Sequence, residues 1–340
     1  MKPLYLLFSL SLLACSAPHD QEASAGRFSV IMVLDMAGLG DKGFNDAGWA
    51  GVQKAVSELD IEATYLQSSE QADYVGNLTL AAQRGDVVVA MGFLMIDAVA
   101  RVAPNHPETK FIFVDGEVKG GNVASFDFKA QEGAFLAGII AAMTTRTGKV
   151  GCVLGMDIPP VRAYEVGYRA GIKAVNAWEN KRVEYLSATI GDFNNPSRGK
   201  ALAQGLIGQG ADIVMQLAGN SGLGVIEAVK EAEGRVFAIG ADLDQDGLAP
   251  GKILVSVLKR IDVAVFEAIR DAVDGRFEPG HHYVGIAEGA TGLTEMRYTR
   301  DVVPTRSDSM ISDIVARIQS GYQVPASLQD LSTFESPGLN

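Results

Sequence analysis

The stretch VLDMAGLGDKGFNDAGWAGVQKA, residues 33–55, passes from an apolar strand pattern into a helical one, with Asp35 at the end of the first and Phe44 at the start of the second. Lys42-Gly43 before Phe44 and Asn45-Asp46 after it are turn chemistry, where a large apolar side chain is unusual. One reading makes Asn45 the N-cap of the helix, with Phe44 and Trp49 packed as a hydrophobic staple. The other makes Phe44 a ring offered to a ligand, and the two are compatible.

The strand-then-helix step of this stretch recurs along the chain. Strands are expected at FSVIMVL, IEATYL, DVVVAM, KFIFVD, NVASFDF, KVGCVLG, RVEYLSA, ADIVMQL, RVFAIGA and ILVSVL, and helices at 46–59, 70–84, 94–103, 130–146, 161–178, 197–209 and 222–232. Strands that are nearly all apolar, alternating with helices, imply parallel sheets covered on both faces, a doubly wound α/β fold. The pattern restarts after Phe126 with AQEGAFLAGIIAAM, so two α/β lobes are more economical than one very large sheet.

Composition excludes several classes. The chain has 340 residues, 47% hydrophobic and 21% charged, which is globular. A net charge of −12 opposes contact with phosphate backbones, so nucleic acid is not an expected partner. Of the two cysteines, Cys152 lies in an apolar strand and reads as a small buried hydrophobe, so no disulfide framework exists. The other, Cys15, follows the short apolar run of MKPLYLLFSLSLLAC, too short to span a bilayer and typical of a secretory signal. Leu12-Leu13-Ala14-Cys15 resembles the lipobox of bacterial lipoproteins, which implies a signal peptide over 1–14, diacylglycerol on Cys15 and a small, polar tether over 15–26. Losing residues 1–14 removes one cation, Lys2, and takes the net charge from −12 to −13. The expected location is the extracytoplasmic face of a bacterial membrane, held there by lipid alone.

Ligands of open α/β sheets sit beyond the carboxyl ends of the strands. The residues there are Asp35, Asp115, Gly219-Asn220, Asp242 and Lys259, so several carboxylates and one ammonium converge on one edge. Each could instead cap a helix or turn.

At this point the blocks DMAGLGDKGFNDAGWAG, VASFDFKAQEGAFLAGIIAA, TGKVGCVLGMD, GYRAGIKAV, AGNSGLGVIEAVKE and GADLDQDG followed by SVLKR resemble, in the same order over about residues 28–290, the basic membrane lipoproteins of bacteria, which include purine nucleoside receptors of spirochaetes. The resemblance implies a type I periplasmic-binding fold: two lobes joined by three crossings, closing on a nucleoside that an ABC transporter permease then imports. It implies an N-terminal lobe of 27–126 plus 254–284, a C-terminal lobe of 127–253 plus 285–325, a tail over 326–340, and a monomer without cofactor or metal. Phe44 and Phe193 match the rings that sandwich the base; stacking a base contributes about 1–3 kcal/mol. Asn45 and Asp115 match the base-edge partners, while Asp35, Asp242 and Lys259, beside Gly219, match the ribose and supporting contacts. A carboxylate can accept from two hydroxyls and an ammonium can donate to their oxygens, which suits a diol. The family often carries Ser where Gly43 stands and an acidic residue within the stretch Gly38-Leu39-Gly40.

Other readings compete. Asp242, Asp244, Asp246 and Gly247 copy the first half of a calcium loop, but its twelfth position is Ile253. GNSGLG lacks the dinucleotide spacing, and none of the four histidines, His19, His106, His281 and His282, lies in a metal or nucleophile motif, so an enzyme is not expected. A receptor for another small ligand such as a sugar, or a surface adhesin or sensor on the same fold, is the alternative.

Overall fold

The computed structural model describes residues 27–338, and the signal, the tether and the Cys15 lipidation site lie outside them. In chain order the elements are β1 (Phe28–Leu34), α1 (Phe44–Glu58), β2 (Ile61–Gln67), α2 (Asp73–Ala82), β3 (Val87–Met91), α3 (Ile96–Val102), β4 (Lys110–Val114), β5 (Val123–Phe128), α4 (Ala130–Thr144), β6 (Lys149–Leu154), α5 (Pro159–Trp178), β7 (Glu184–Thr189), α6 (Pro196–Gly208), β8 (Ile213–Leu217), α7 (Ser221–Glu231), β9 (Phe237–Asp242), β10 (Ile253–Lys259), α8 (Ile261–Val273), β11 (Gly280–Val284), β12 (Thr291–Leu293), α9 (Arg306–Gln319) and α10 (Leu328–Thr333).

They build two six-stranded sheets, ordered β11-β5-β4-β3-β1-β2 and β12-β10-β9-β8-β6-β7. All pairings are parallel except β12 against β10. Each sheet repeats the order second, first, third, fourth, fifth, so each has its reversal of direction, and hence its natural ligand crevice, between its first and third strands. Central strands such as β3 and β8 are buried throughout because helices cover both faces, whereas the edge strands β2 and β7 leave several residues exposed. Apolar clusters lie on both faces of both sheets.

The chain crosses between sheets three times, after β5, after β10 and after β11. The second crossing corrects the expected boundary at 254: β10 pairs with β9 and β12 and belongs to the second sheet. The chain leaves that sheet only at Lys259-Arg260, after which α8 packs with α1 on the first. Strand order is a long-range property, and an apolar run carries no mark of the sheet it joins. The stretch expected as a tail, from 326, packs against the second lobe. Ser327 and Asp330 form a capping box for α10, Leu331 and Phe334 are buried in the second lobe, and Trp178 Nε1 donates to the carbonyl of Pro337 at 2.7 Å.

α4 and α5 cross with their backbones in contact. A methyl built on Gly171 would overlap the carbonyl oxygen of Phe135, and one on Gly138 that of Tyr168. This crossing fixes α5, whose first turns face the space between the lobes. Ala would improve helix propensity at Gly171 by about 1 kcal/mol, but a collision with backbone cannot be relieved by a rotamer change. Gly171→Ala is therefore expected to lower the unfolding free energy by on the order of 2 kcal/mol, read from urea denaturation against wild type.

Candidate functional site

The cleft lies where the carboxyl ends of both sheets meet; its empty space, counting the part open to solvent, is about 670 Å³. From the first lobe it is lined by Asp35 after β1, Asp41, Phe44 and Asn45 at the start of α1, Gly92 and Phe93 after β3, and Asp115 after β4. The second lobe brings Pro160, Val161 and Tyr164 on α5, Phe193 after β7, Gly219 after β8, Asp242 ending β9 and Lys259 ending β10. Asp35, Phe44, Asn45, Asp115, Phe193, Gly219, Asp242 and Lys259 thus share one cavity.

Helix α1 begins at Phe44, with Gly43 as its N-cap, so Asn45 is not the cap. The capping is done by Asp41, whose carboxylate accepts from the backbone N–H groups of Gly43 (3.0 Å), Asn45 (2.9 Å) and Asp46 (3.1 Å). Asn45 is then released into the cleft, where its Nδ2 donates to Asp35 Oδ1 at 2.8 Å and to Asp41 Oδ2 at 3.2 Å. Phe44 packs against the edge of the first lobe's core and still lines the cavity.

The second ring depends on glycine. A methyl on Gly155, just after β6, would occupy the place of the Phe193 ring, so only glycine lets the ring lie there. Gly219, at φ 53°, turns the chain after β8 so that the N–H of Ser221 donates to the carbonyl of Phe193 at 2.9 Å, while Ser221 Oγ accepts from the N–H of Asn195 at 2.7 Å. Asn195 caps α6 and Pro196 opens it.

The charged end is buried. Lys259, from the second lobe, donates from Nζ to Asp115 Oδ2 of the first at 2.5 Å, and its side chain is only 2% exposed. Its ammonium lies 5.3 Å from the ring centres of Phe44 and Phe128 and 5.8 Å from that of Tyr164. Burial alone would lower the Lys259 pKa, but Asp115 and Asp242 outweigh it and hold the group above its usual value. Tyr164 Oη donates to Asp242 Oδ1 at 2.9 Å, and burial followed by the Asp242 charge pushes the phenol well above its ordinary range. Burial raises Asp242 to about 6 against the pull of Lys259, and raises Asp35 to about 6 against its bond from Asn45. A second bridge between the lobes runs from Gln245 Nε2 to the carbonyl of Lys42 at 2.8 Å.

Phe93, Asp41 and Tyr164 are among the lining residues that were not expected. Phe93 directly follows β3 and falls under the same carboxyl-end rule as Asp35. Asp41 sits four residues before Asn45 with no local mark of its role. Tyr164 is inside a helix, where sequence does not show which neighbour a side chain will meet. The Asp242–Gly247 segment spreads its carboxylates: Asp242 faces the cleft, Asp244 Oδ1 accepts from the N–H of Asp246, and Asp246 accepts from that of Arg297. Among the described residues no group of three or more His, Cys, Asp or Glu is placed to hold a metal ion. Cys152 is free and buried.

Two doubly wound lobes, three crossings and a cleft shared by both define the class: a two-lobed solute-binding protein. Residues 28–323 match the family model for PnrA-like ABC transporter substrate-binding proteins, Bmp. The chain is 33% identical over 300 residues to the ABC transporter nucleoside-binding protein BmpA of Lactococcus lactis subsp. cremoris, covering 81% of this chain and 84% of that protein. It is 33% identical over 303 residues to an uncharacterized lipoprotein of Pyrococcus abyssi, covering 86% and 75%. An ABC transporter solute-binding protein of Aeropyrum pernix K1, solved by crystallography, superposes with a TM-score of 0.83 at 31% identity, covering 90% and 96%. The chain belongs to the Bmp family and is an ABC transporter substrate-binding protein, not an enzyme.

The raised carboxyls set a pH dependence. Asp35 and Asp242 titrate near 6 when folded and near 3.8 when unfolded, so between those values the folded chain binds more protons. Their stabilising contribution is complete below about pH 4 and is lost as pH rises through about 6. Unfolding free energy of the ligand-free protein is expected to be higher at pH 5 than at pH 7.5, by on the order of 1–3 kcal/mol per group. Urea titrations at the two pH values check this, and Asp242→Asn should remove its share of the difference.

Proposed function

We propose that this chain is the purine nucleoside receptor of an ABC importer, a lipoprotein held on the extracytoplasmic side of a bacterial membrane through Cys15 and delivering its ligand to a permease. The observation that carries the reading is the pairing of Phe44 and Phe193, one from each lobe, at a single cleft that also holds a buried carboxylate and ammonium cluster. A flat aromatic base gains from two ring faces, and a ribose diol gains from groups able to accept from and donate to hydroxyls. In this reading Asn45 and Asp115 meet the base edge, Asp35, Asp242 and Lys259 serve the ribose side, and Gly219 gives the ligand close approach to backbone. The nucleoside-binding relative from Lactococcus and the lipoprotein relative from Pyrococcus support it.

Charge narrows the ligand further. Asp35, Asp41, Asp115 and Asp242 line the cavity with Lys259 as the single cation among its lining residues, so a phosphate would enter a field already negative. A nucleoside is preferred to its nucleotide.

Phe44→Ala and Phe193→Ala are each expected to weaken nucleoside binding by about 1–3 kcal/mol, roughly 5- to 150-fold, with little change in melting temperature. Calorimetry and thermal denaturation on the same variants check this. A Phe44 variant that melts earlier while binding normally would make that ring a packing residue only. Cys15→Ser is expected to release a folded, ligand-competent protein from washed membranes, since the acyl chains are its proposed attachment. A variant that still sediments with them would rule out an anchor at this residue.

A further inference from the structure

We infer that Gln245 is the latch of the cleft: its amide ties the second lobe to the backbone just ahead of Phe44, holds the lobes closed with or without ligand, and sets the rate at which ligand leaves. The inference rests on the two-lobed class of the protein and not on the identity of its ligand.

Gln245 lies between β9 and β10, is 2% exposed and does not line the cavity, so it acts through the groups it holds. Its Oε1 accepts from Gln216 Nε2 at 3.0 Å and from the N–H of Ala241 at 3.3 Å, while its Nε2 donates to the carbonyl of Lys42 in the other lobe at 2.8 Å. The direction of this chain of bonds is fixed at its origin. Gln216 Oε1 accepts from the N–H of Ala218 at 3.1 Å, which points the Gln216 nitrogen at Gln245 and in turn the Gln245 nitrogen at Lys42. Backbone N–H groups only donate, so neither amide can flip without setting nitrogen against nitrogen. Glycine makes the room: a methyl on Gly222 would overlap Gln216 Oε1, and one on Gly240 would crowd Gln245 Oε1.

The two ends of the chain of bonds support the two rings. Ala218 lines the cleft and precedes Gly219, whose turn holds Phe193 in place. Lys42 stands two residues before Phe44 at φ 53°, the left-handed region that a residue with a side chain rarely adopts. Asp46 ties down the turn around it by accepting from the N–H groups of Gly40 at 2.7 Å and Lys42 at 3.2 Å, so the Lys42 carbonyl has little freedom to turn away. A fixed acceptor thus meets a fixed donor, and the bond between them registers the support of one ring against that of the other. Unlike the Lys259–Asp115 pair, this bridge carries no charge and uses no residue of the cavity.

Gln245→Glu is the variant that isolates the bridge. One carboxylate oxygen still accepts from Gln216 and Ala241, and the other, which carries no hydrogen, faces the Lys42 carbonyl. Release is measured by chasing bound radiolabelled adenosine with excess unlabelled adenosine, and association by rapid mixing. The variant is expected to release adenosine about 5-fold or more faster while associating within about twofold of the wild-type rate, since the ligand meets unchanged surfaces on the open lobes. Gln245→Met, of similar shape and uncharged, is expected to do the same and keeps the test decisive should the buried carboxylate prevent folding. Release within about twofold of wild type would overturn the inference. Slower association in step with faster release would also overturn it, by making Gln245 a packing residue of the second lobe. If adenosine does not bind the wild-type protein, the nucleoside reading fails and small-angle scattering of the ligand-free protein decides the latch on its own: a larger radius of gyration in the variant supports it, and an unchanged radius overturns it.

Discussion

Lys259 is the point on which the two lobes settle their charge. An ammonium that is 2% exposed needs compensation, and it finds it in Asp115, which belongs to the other lobe. Two buried charges drawn together from opposite sheets are costly to separate: removing one partner of such a pair typically costs about 3–5 kcal/mol. The pair therefore fixes how the carboxyl ends of the two sheets face each other, and with them the depth of the cleft. Asp242 and Tyr164 complete the cluster, and the rings of Phe44 and Phe128 shield the ammonium from water. The same residues that couple the lobes also line the cavity, so ligand contact and lobe alignment are one problem in this molecule.

Repetition explains how one cleft draws on both halves. Each sheet runs in the same strand order, and each offers its crevice between the first and third strands. In the first lobe that crevice displays Asp35 and Phe93; in the second it displays Gly155, which makes room for Phe193, and Gly219. Placing the two crevices face to face supplies an aromatic surface from each side, which a single doubly wound sheet could not provide.

Much of this was legible in the residues. Ten runs became strands of the two sheets, the central ones apolar throughout because both their faces are covered, and the carboxyl-end rule led to Asp35, Asp115, Gly219, Asp242 and Lys259. What escaped was decided by distance along the chain. β11, with the polar sequence GHHYV, is a strand only because β5 offers it an edge, and β12 is three residues long. β10 joined the second sheet through pairing that no local pattern encodes. Helix α10 holds its place through Leu331 and Phe334, whose partners lie far upstream. Asp41 could not be singled out from the polar turn around it, because its importance comes from the three N–H groups that the helix start turns toward it.

As a proposed purine nucleoside receptor, the protein closes its cleft on a base and a sugar together, the rings taking one and the charged cluster the other. Titrating ligand-freed protein by calorimetry with adenosine, adenine and ribose in turn measures this directly. One adenosine is expected to bind per chain, adenine at least about tenfold more weakly for want of the ribose contacts, and ribose alone is expected to give no measurable heat. Ribose binding as tightly as adenosine, or adenine matching it, would show that the cleft does not hold base and sugar together.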